Sequence, residues 1–500
     1  MYRTIGQLDF LTGLLAAWFP QYFARLQLPE ASVQGRPVYA LRMRAGGGED
    51  RRGVLLVGGT HSRELMNPDA IVELAVNLLV SYANGTDIVY GGRRWPANDV
   101  RIILESLDLW LLPCSNPDGR DYVMNVDDLW RKNRRDNPGT PCDGVDLNRN
   151  LDMLWGVTEG QTSCSPCSDV YCGPSAFSEP ETRNVKYLLD TRRIDCFVDV
   201  HSYSELILYP WGHAPTQTVD ATKRFTLLPS GTCAPVGQPG YQEYMLPADL
   251  QRFQTVGQRI VDAIAAVRGR VYTSQPGVGL YPTTGTHSDY AYGRHIADAN
   301  LRKTFGYTFE TGPWAGNVRD SFHPADPTDI KRDAKSGMVA LIQQCICAIE
   351  LIGSQLLGRE TEVSMLRRVR DDLLATTESG RDWIALFERV QSHLLGIVLS
   401  DERLSREAAT LVELAGRLPQ EESAPIPGEV VDSALHLIRD LSERSESMEV
   451  RTDLEAVSAE LAQLSGLTSA DAIATLMRRG PGGSEPDSAT VMGPTGPDPV

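Results

Sequence analysis

An imidazole and a carboxylate stand three residues apart in the segment Gly58–Glu64, where His61 and Glu64 follow an apolar run. Zinc takes nitrogen and oxygen ligands, and a catalytic zinc site needs three protein ligands and one open position. The pair alone is a weak indication, because two such common residue types meet at this spacing by chance. It predicts a metal site only if a third ligand and a catalytic group lie further along the chain.

Two more titratable residues each end a strand-like segment. His201 follows the strand-like residues 197–200, and Glu310 ends a second, alternating segment. A lone histidine at a strand end is more often structural. However, strands of an open α/β sheet end at the edge where ligands normally bind. We therefore expect His201 and Glu310 to meet His61 and Glu64 at that edge.

Basic and amide side chains cluster in two nearby segments of this otherwise acidic chain. Residues 129–135 contain Arg131, and residues 144–150 contain Asn148 and Arg149. A solvated charge run is the ordinary explanation of such a segment. Arginine is also suited to holding a carboxylate through two parallel hydrogen bonds. Near a metal, these groups predict a binding site for an anionic chain end.

Buried strands and amphipathic helices must position these groups. Residues 54–57 are apolar and bounded by glycine, which predicts a buried strand, and the apolar spacing that follows predicts a helix over 68–82. Residues 38–43 are expected to pair with this strand as a hairpin, and residues 101–112 to form another strand. Residues 279–289 are rich in small residues and predict a long loop.

Composition bounds the fold and the partners. The chain has 500 residues, of which 42% are hydrophobic, which is enough for a large α/β unit with an appendage. A net charge of -17 argues against nucleic acid or an anionic membrane as the main partner. No apolar run approaches the roughly 20 residues that span a bilayer.

Two features of the sequence conflict over the cellular compartment. The N-terminal residues lack the basic start and cleavage site of a signal peptide, which slightly favours the cytoplasm. The chain has nine cysteines, and five of them fall between residues 114 and 172, which points to an oxidising compartment.

The last third of the chain differs from the rest. Apolar residues recur every three or four positions within 353–479, which predicts amphipathic helices, interrupted by a Pro/Glu/Ser-rich linker at 418–428. These helices could pack as a simple bundle, but we favour a small helical domain that binds a protein partner or associates with itself. Residues 480–500 are dominated by Gly, Pro, Ser and Asp, which predicts a disordered tail.

Seven motifs, taken in order, resemble the zinc metallocarboxypeptidases of the carboxypeptidase A type. They are His61–Glu64, Asn116–Gly119, Trp130–Lys132, Asp146–Arg149, His201–Ser204, Tyr281–Asp289 and Phe309–Glu310. The resemblance covers roughly residues 5–352. It implies an α/β fold with a mixed central sheet flanked by helices, in a catalytic domain over 1–352. The all-α extension over 353–479 would follow it.

The resemblance also implies a role for each residue near the metal. His61, Glu64 and His201 would bind one zinc ion, and Asp146 would orient one of the histidines. Glu310 would be the general base, which takes a proton from the attacking water and delivers it to the leaving amine.

Substrate contacts are implied in the same way. Arg131 would stabilise the oxyanion, whereas Asn148 and Arg149 would hold the terminal carboxylate of the peptide. Tyr281 matches a mobile tyrosine that closes over the substrate, and Arg63 would assist at the anionic end.

The implied function is a zinc exopeptidase that removes C-terminal residues from peptides. Ser288 stands where charge separates the subtypes of the family, so a neutral, aromatic or broad side-chain preference is expected. Cys142 and Cys167 match a disulfide of the family. Two alternatives remain: hydrolysis of peptidoglycan stems or side-chain glutamates, and an inactive scaffold that acts through the helical extension.

Overall fold

A computed structural model describes most of the chain. The described residues are 2–46, 51–158, 160–227, 229–234, 240–347, 365–366, 368–417, 424–445 and 447–481. The chain divides into two compact units, Met1–Ile346 and Cys347–Val500. The expected start of the helical extension, at 353–364, lies outside the described residues, as does nearly all of the expected disordered tail.

An eight-stranded mixed sheet forms the centre of the first unit. The strands of this unit are β1 (Phe23–Gln27), β2 (Tyr39–Met43), β3 (Gly53–Gly58), β4 (Ile88–Tyr90), β5 (Arg93–Trp95), β6 (Asp108–Leu112), β7 (Ile194–His201), β8 (Leu206–Tyr209), β9 (Thr216–Thr218), β10 (Gln242–Tyr244), β11 (Thr273–Pro276) and β12 (Phe305–Glu310). The order in the large sheet is β1-β2-β6-β3-β7-β12-β8-β11. Its central strands β6, β3, β7 and β12 are parallel, whereas β2 and β8 pair antiparallel with their inner neighbours. The predicted mixed sheet is confirmed.

Helices flank this sheet. They are α1 (Ile5–Trp18), α2 (Met66–Asn84), α3 (Ala97–Ser106), α4 (Pro117–Asn125), α5 (Pro180–Thr191), α6 (Pro247–Arg268), α7 (His287–Ala297), α8 (Val318–Phe322) and α9 (Thr328–Gln344). Every residue of β3 is buried, as expected of a parallel strand that is covered on both faces. Burial of each Val or Leu side chain there contributes roughly 1.5–3 kcal/mol.

The expected strand over 101–112 is wrong in its first half. Helix α3 ends at Ser106, and β6 begins only at Asp108. Val100, Ile103 and Leu104 are fully buried on one face of α3, at the spacing of a helix. A short apolar run does not distinguish a buried helix turn from a strand, which explains the error.

The expected hairpin between β2 and β3 is also wrong. Strand β6 lies between them and pairs with both, antiparallel to β2 and parallel to β3. The loop expected over 279–289 extends only to Thr286, because the hydroxyl of Thr286 caps the N-terminus of α7 by accepting from the NH of Asp289.

A buried histidine connects the region after β8 to α7. His213 Nδ1 lies 3.3 Å from Asp289 Oδ2, and its Nε2 lies 3.1 Å from Glu243 Oε2. All three side chains are buried. Burial alone would lower the pKa of His213, but the two carboxylates outweigh it and raise this pKa to about 9.

The raised pKa of His213 predicts a pH-dependent stability. The charged imidazolium of His213 stabilises the folded state. Its contribution to the free energy of unfolding is complete below about pH 6.5, the pKa of histidine in the unfolded chain, and is lost as the pH rises through about 9. This contribution is at most roughly 3 kcal/mol. Urea unfolding at several pH values should show this loss in the wild type. The variant His213→Gln should lack that part of the pH dependence, and an identical pH dependence in both proteins would contradict the assignment.

The second unit is helical over its described residues, in agreement with the predicted C-terminal extension. Its longer helices are Glu378–Ser400, Glu402–Arg417, Gly428–Arg444, Met448–Leu461 and Ser469–Arg478. Ile426, Val431, Leu464 and Ala472 form a buried cluster within it. Among the helices of both units that the structure describes, none is long and apolar enough to cross a membrane.

Candidate metal centre and catalytic cleft

The turn between β3 and α2 holds His61 and Glu64. Gly59 has a φ of 64°, in the left-handed region, and a Cβ there would lie 3.0 Å from Pro68 Cγ. The turn therefore requires glycine. The NH of Glu64 then donates to the carbonyl of His61 at 3.2 Å, which closes a tight turn before α2 begins at Met66.

His201 and Glu310 end two neighbouring strands. In the parallel pair β7–β12, Glu310 lies opposite His201, and in the pair β3–β7, Gly58 lies opposite Val200. The three adjacent strands thus end at one edge of the sheet. This is the edge at which the sequence predicts that the metal-binding and catalytic groups meet.

His61, Glu64 and His201, called here the ligand group, are buried side by side. His61 Nδ1 lies 2.8 Å from Glu64 Oε1, and His201 Nδ1 lies 3.0 Å from Glu64 Oε2. The two Nδ1 atoms are 2.9 Å apart. Tetrahedral zinc with nitrogen and oxygen ligands holds such atoms about 3.3 Å apart. The arrangement of the three donors therefore fits a zinc ion with little movement.

Two buried carboxylates hold the outer nitrogens of the histidines. His61 Nε2 lies 3.0 Å from Asp146 Oδ1, and His201 Nε2 lies 2.8 Å from Asp199 Oδ2. An ionised carboxylate only accepts hydrogen bonds, so each Nε2 carries the proton. Each Nδ1 is then free to present a lone pair toward a metal ion.

The charge balance of the site favours a cation. Glu64, Asp146, Asp199 and Glu310 are all buried here. Burial would raise the pKa of Asp146, but Arg131 and His61 outweigh it and hold this pKa well below its ordinary value. Buried carboxylates need positive charge close by, since an unpaired buried charge is costly, and a bound cation would add to the charge that Arg131 supplies.

A cavity of about 320 Å³ opens beside the ligand group. Glu310 lines it and is 8% exposed. Burial raises the pKa of the Glu310 carboxyl to about 8, although the neighbouring His201 opposes the rise. A carboxyl group on the wall of this cavity, beside the ligand group, is placed to exchange a proton with a bound water or substrate, which is the role expected of this residue.

Arg131 and Arg149 place positive charge on the cavity wall. Arg131 donates from Nε and Nη2 to Asp146 Oδ2, at 3.0 and 2.9 Å. Arg149 donates from Nε and Nη1 to the main-chain carbonyls of Gln161 and Asn148. These bonds fix both guanidinium groups at the cavity, where each can bind an anionic group.

The remaining expected substrate residues divide into two groups. Arg63 and Tyr281 line the cavity, and Arg63 also packs on the ring of Phe322 with its Cζ 4.6 Å from the centroid. Asn148 and Ser288 are buried and do not belong to the described lining of this cavity. Ser288 lies in the first turn of α7, next to β12.

Asp199 is the residue of the site that sequence reasoning missed. It stands two residues before His201 on β7, and alternate residues of a strand share a face. A carboxylate two residues before a candidate ligand, and therefore on the same face of the strand, was the available signal. Thr60, whose hydroxyl donates to Asp199 Oδ1 at 2.9 Å, was missed as well.

Three disulfides join cysteines of the first unit. The pairs are Cys142–Cys167, Cys164–Cys233 and Cys196–Cys345. The bond between Cys142 and Cys167 is the one implied by the resemblance. It connects the segment that precedes Asp146 to the segment that precedes Asp169, a residue of the cavity wall. The Ser202–Tyr203 peptide is cis.

Fold and site together define an α/β protein with a buried His-Glu-His metal-binding group at the carboxyl ends of adjacent strands. Residues 15–339 match the family model described as zinc carboxypeptidase. The chain belongs to the zinc carboxypeptidase family.

Known proteins are similar to this chain over parts of their length. Carboxypeptidase A4 of Mus musculus is 31% identical over 300 residues, which are 59% of this chain and 61% of the relative. Carboxypeptidase B of Astacus astacus is 29% identical over 316 residues, 62% of this chain and 88% of the relative. Carboxypeptidase A1 of Bos taurus is 33% identical over 223 residues, 44% of this chain and 49% of the relative. The match thus spans between about half and nine-tenths of these relatives.

Solved structures share the fold. Bovine thrombin-activatable fibrinolysis inhibitor, in complex with a tick carboxypeptidase inhibitor, has a TM-score of 0.53 at 21% identity, covering 69% of this chain and 97% of that chain. Carboxypeptidase A from Helicoverpa armigera has a TM-score of 0.51 at 24% identity, covering 68% of this chain and 74% of that chain.

Proposed function

We propose that this protein is a zinc-dependent exopeptidase that hydrolyses the C-terminal peptide bond of peptides. The observation that carries the proposal is the cavity that His61, Glu64 and Glu310 line together with arginines, while His201 lies directly behind Glu64. A metal site without a general base could be purely structural, and a positively charged cavity without a metal site could simply bind anions. Their combination at one sheet edge favours hydrolysis of a substrate with an anionic end.

Each residue of the site would have a distinct role in the reaction. The ligand group would hold zinc, which supplies a Lewis acid and lowers the pKa of water when bound. Glu310 takes a proton from the attacking water and passes it to the leaving amine. Arg131 donates to the carbonyl oxygen as it gains negative charge, and Asp146 keeps that guanidinium in place.

Arg149 restricts the enzyme to chain ends by pairing with the terminal carboxylate. In the variant Arg149→Met we expect kcat/KM for peptides with a free C-terminus to fall roughly 30- to 1000-fold, the loss of a buried charge-assisted contact of about 2–4 kcal/mol. Steady-state kinetics on paired substrates would test this, one peptide with a free carboxylate and the same peptide with a C-terminal amide. The wild type should strongly prefer the free carboxylate, and the variant should not. An equal preference in both proteins would exclude this role of Arg149.

We further propose a neutral, aromatic or broad side-chain preference. Its support is that Ser288 carries no charge at the position that separates subtypes in related enzymes. A panel of blocked dipeptides that differ only in the last residue would test it, with strict cleavage after Lys or Arg as the contrary result. Peptidoglycan stems and γ-glutamyl peptides belong in the same panel, because they test the amidohydrolase alternative.

An inactive scaffold is the less favoured alternative. A relative named inactive metallocarboxypeptidase ecm14, from Talaromyces marneffei, is 29% identical over 274 residues. This chain retains the whole ligand group and Glu310, and the loss of one of these is the usual mark of a decayed enzyme. Binding of a partner or self-association through the helical extension remains a prediction.

The compartment is proposed to be oxidising. Three disulfides in the first unit are typical of secreted or periplasmic proteins and rare in the cytoplasm. They outweigh the slight preference for the cytoplasm taken from the N-terminal residues. Thiol counting on protein isolated from its natural source would test this.

A further inference from the structure

Asp199 makes three side-chain contacts to three different segments of the site. Its Oδ2 lies 2.8 Å from His201 Nε2 and 3.0 Å from His287 Nδ1. Its Oδ1 accepts from the hydroxyl of Thr60 at 2.9 Å. Asp199 is completely buried. A buried carboxylate with three donors is held in one orientation, since any other would leave it unpaired.

The contact with His201 resembles the one between Asp146 and His61. Each carboxylate holds the Nε2 of one histidine, and each histidine directs Nδ1 into the ligand group. The two carboxylates differ in the other groups that pair with them. Asp146 is paired with Arg131, whereas Asp199 is surrounded by a hydroxyl and a second imidazole.

His287 extends the network to Asn148. Its main-chain NH donates to Asn148 Oδ1 at 2.8 Å, and its Nδ1 lies 3.2 Å from the same oxygen. Within the described residues, Nε2 of His287 has no hydrogen-bond partner. The polar contacts that orient this buried ring are therefore those of Nδ1 with Asp199 and Asn148, and the ring also stacks on Phe197.

Thr60 extends the network in the other direction. It immediately precedes His61 in the turn after β3, so its bond to Asp199 connects that turn to β7. One carboxylate thus joins the turn of the first ligand, the strand of the last ligand and the N-terminus of α7.

We propose that Asp199 is a positioning residue that fixes the tautomer and orientation of His201, and that His287 and Thr60 act by holding Asp199. This inference rests on the proposed function, because it requires that His201 binds zinc. Outer carboxylates of this kind typically contribute 10- to 100-fold to metal affinity. Asp199 touches neither substrate nor metal, so its effect is exerted through His201.

The main test compares Asp199→Asn with Asp333→Asn. Asp333 is also completely buried and binds Arg268 at 2.6 Å between α9 and α6, away from the cavity. The dissociation constant of zinc is measured by chelator competition, together with the visible spectrum of the cobalt-substituted protein and the thermal midpoint of the metal-free protein. We expect Asp199→Asn to bind zinc about 10- to 100-fold more weakly and to change the cobalt spectrum. Asp333→Asn should lower only the thermal midpoint.

A double-mutant cycle tests the role of His287. His287→Phe keeps a ring but removes the Nδ1 donor, and we expect it to weaken zinc binding in the wild-type background but not further in the Asp199→Asn background. If Asp199→Asn does not fold, Thr60→Val replaces it, because it removes only one donor to the carboxylate. Its expected effect is a loss of zinc affinity of about threefold or more.

Three results would overturn the proposal. They are a zinc affinity within twofold of wild type for Asp199→Asn (or for Thr60→Val in its place), equal losses in Asp199→Asn and Asp333→Asn, and additive effects in the cycle. A wild-type chain that binds no zinc would overturn the proposed function as well. A wild type that binds about one zinc per chain while Asp199→Asn is unchanged would overturn only the role of Asp199.

Discussion

Replacement of Glu310 by glutamine is expected to lower kcat about 10²- to 10⁴-fold, the usual contribution of a general base. Glutamine has the shape of glutamate but cannot accept a proton. Zinc content should stay at about one ion per chain, since Glu310 stands outside the three-donor group. Release of free amino acids from blocked dipeptides, followed in parallel with metal analysis, would measure both quantities.

A matched control for this experiment is Glu460→Gln. Glu460 is also buried but lies on Met448–Leu461 of the second unit, so the same chemical change should leave turnover within about twofold of wild type. Normal turnover in Glu310→Gln would refute the proposed mechanism. A loss of zinc in that variant would instead assign Glu310 to the metal site.

The second large effect is expected for His201→Ala. This change removes one of three zinc ligands and takes one partner each from Asp199 and Glu64, so zinc content should fall below about 0.1 per chain after dialysis. Activity should fall about 10³-fold or more, at least as far as in Glu310→Gln. The reason is that the Lewis acid contributes several kcal/mol to transition-state stabilisation, and each 1.36 kcal/mol changes the rate tenfold. Metal analysis and single-turnover assays would measure the two losses.

His295→Ala provides the comparison for His201→Ala. His295 lies in the last turn of α7, bonded to the carbonyl of Tyr292 and outside the ligand group, so its removal should change neither zinc content nor activity. Full zinc occupancy in His201→Ala would show that the ion binds elsewhere. Partial activity restored by excess zinc would still agree with the proposal, since Glu64 and His61 remain.

Much of the fold and site could be predicted because local patterns carry that information. The apolar run before Gly58 and the alternation before Glu310 indicate strands, and both strands exist. Strand ends in an α/β sheet meet at one edge, so the approach of His201 to His61 followed from a general rule. Family motifs then supplied the expected roles.

Sheet order could not be predicted in the same way. The insertion of β6 between β2 and β3 depends on packing across the whole sheet, whereas periodicity reports only one segment at a time. Asp199 was missed for a related reason. Within its strand it interrupts an apolar pattern, and its value becomes visible only when Thr60 and His287 are brought against it from distant segments.

The wide separation of the two histidines has a consequence for biosynthesis. His61 and His201 are 140 residues apart in the chain, and they meet only because β3 and β7 are neighbours. During synthesis, the chain cannot bind a metal ion at this site before both strands have left the ribosome and paired, because unfolded chains rarely contain a preformed metal site. Metal binding therefore follows the pairing of β3 with β7, and the ion must reach a sheet that is already partly formed.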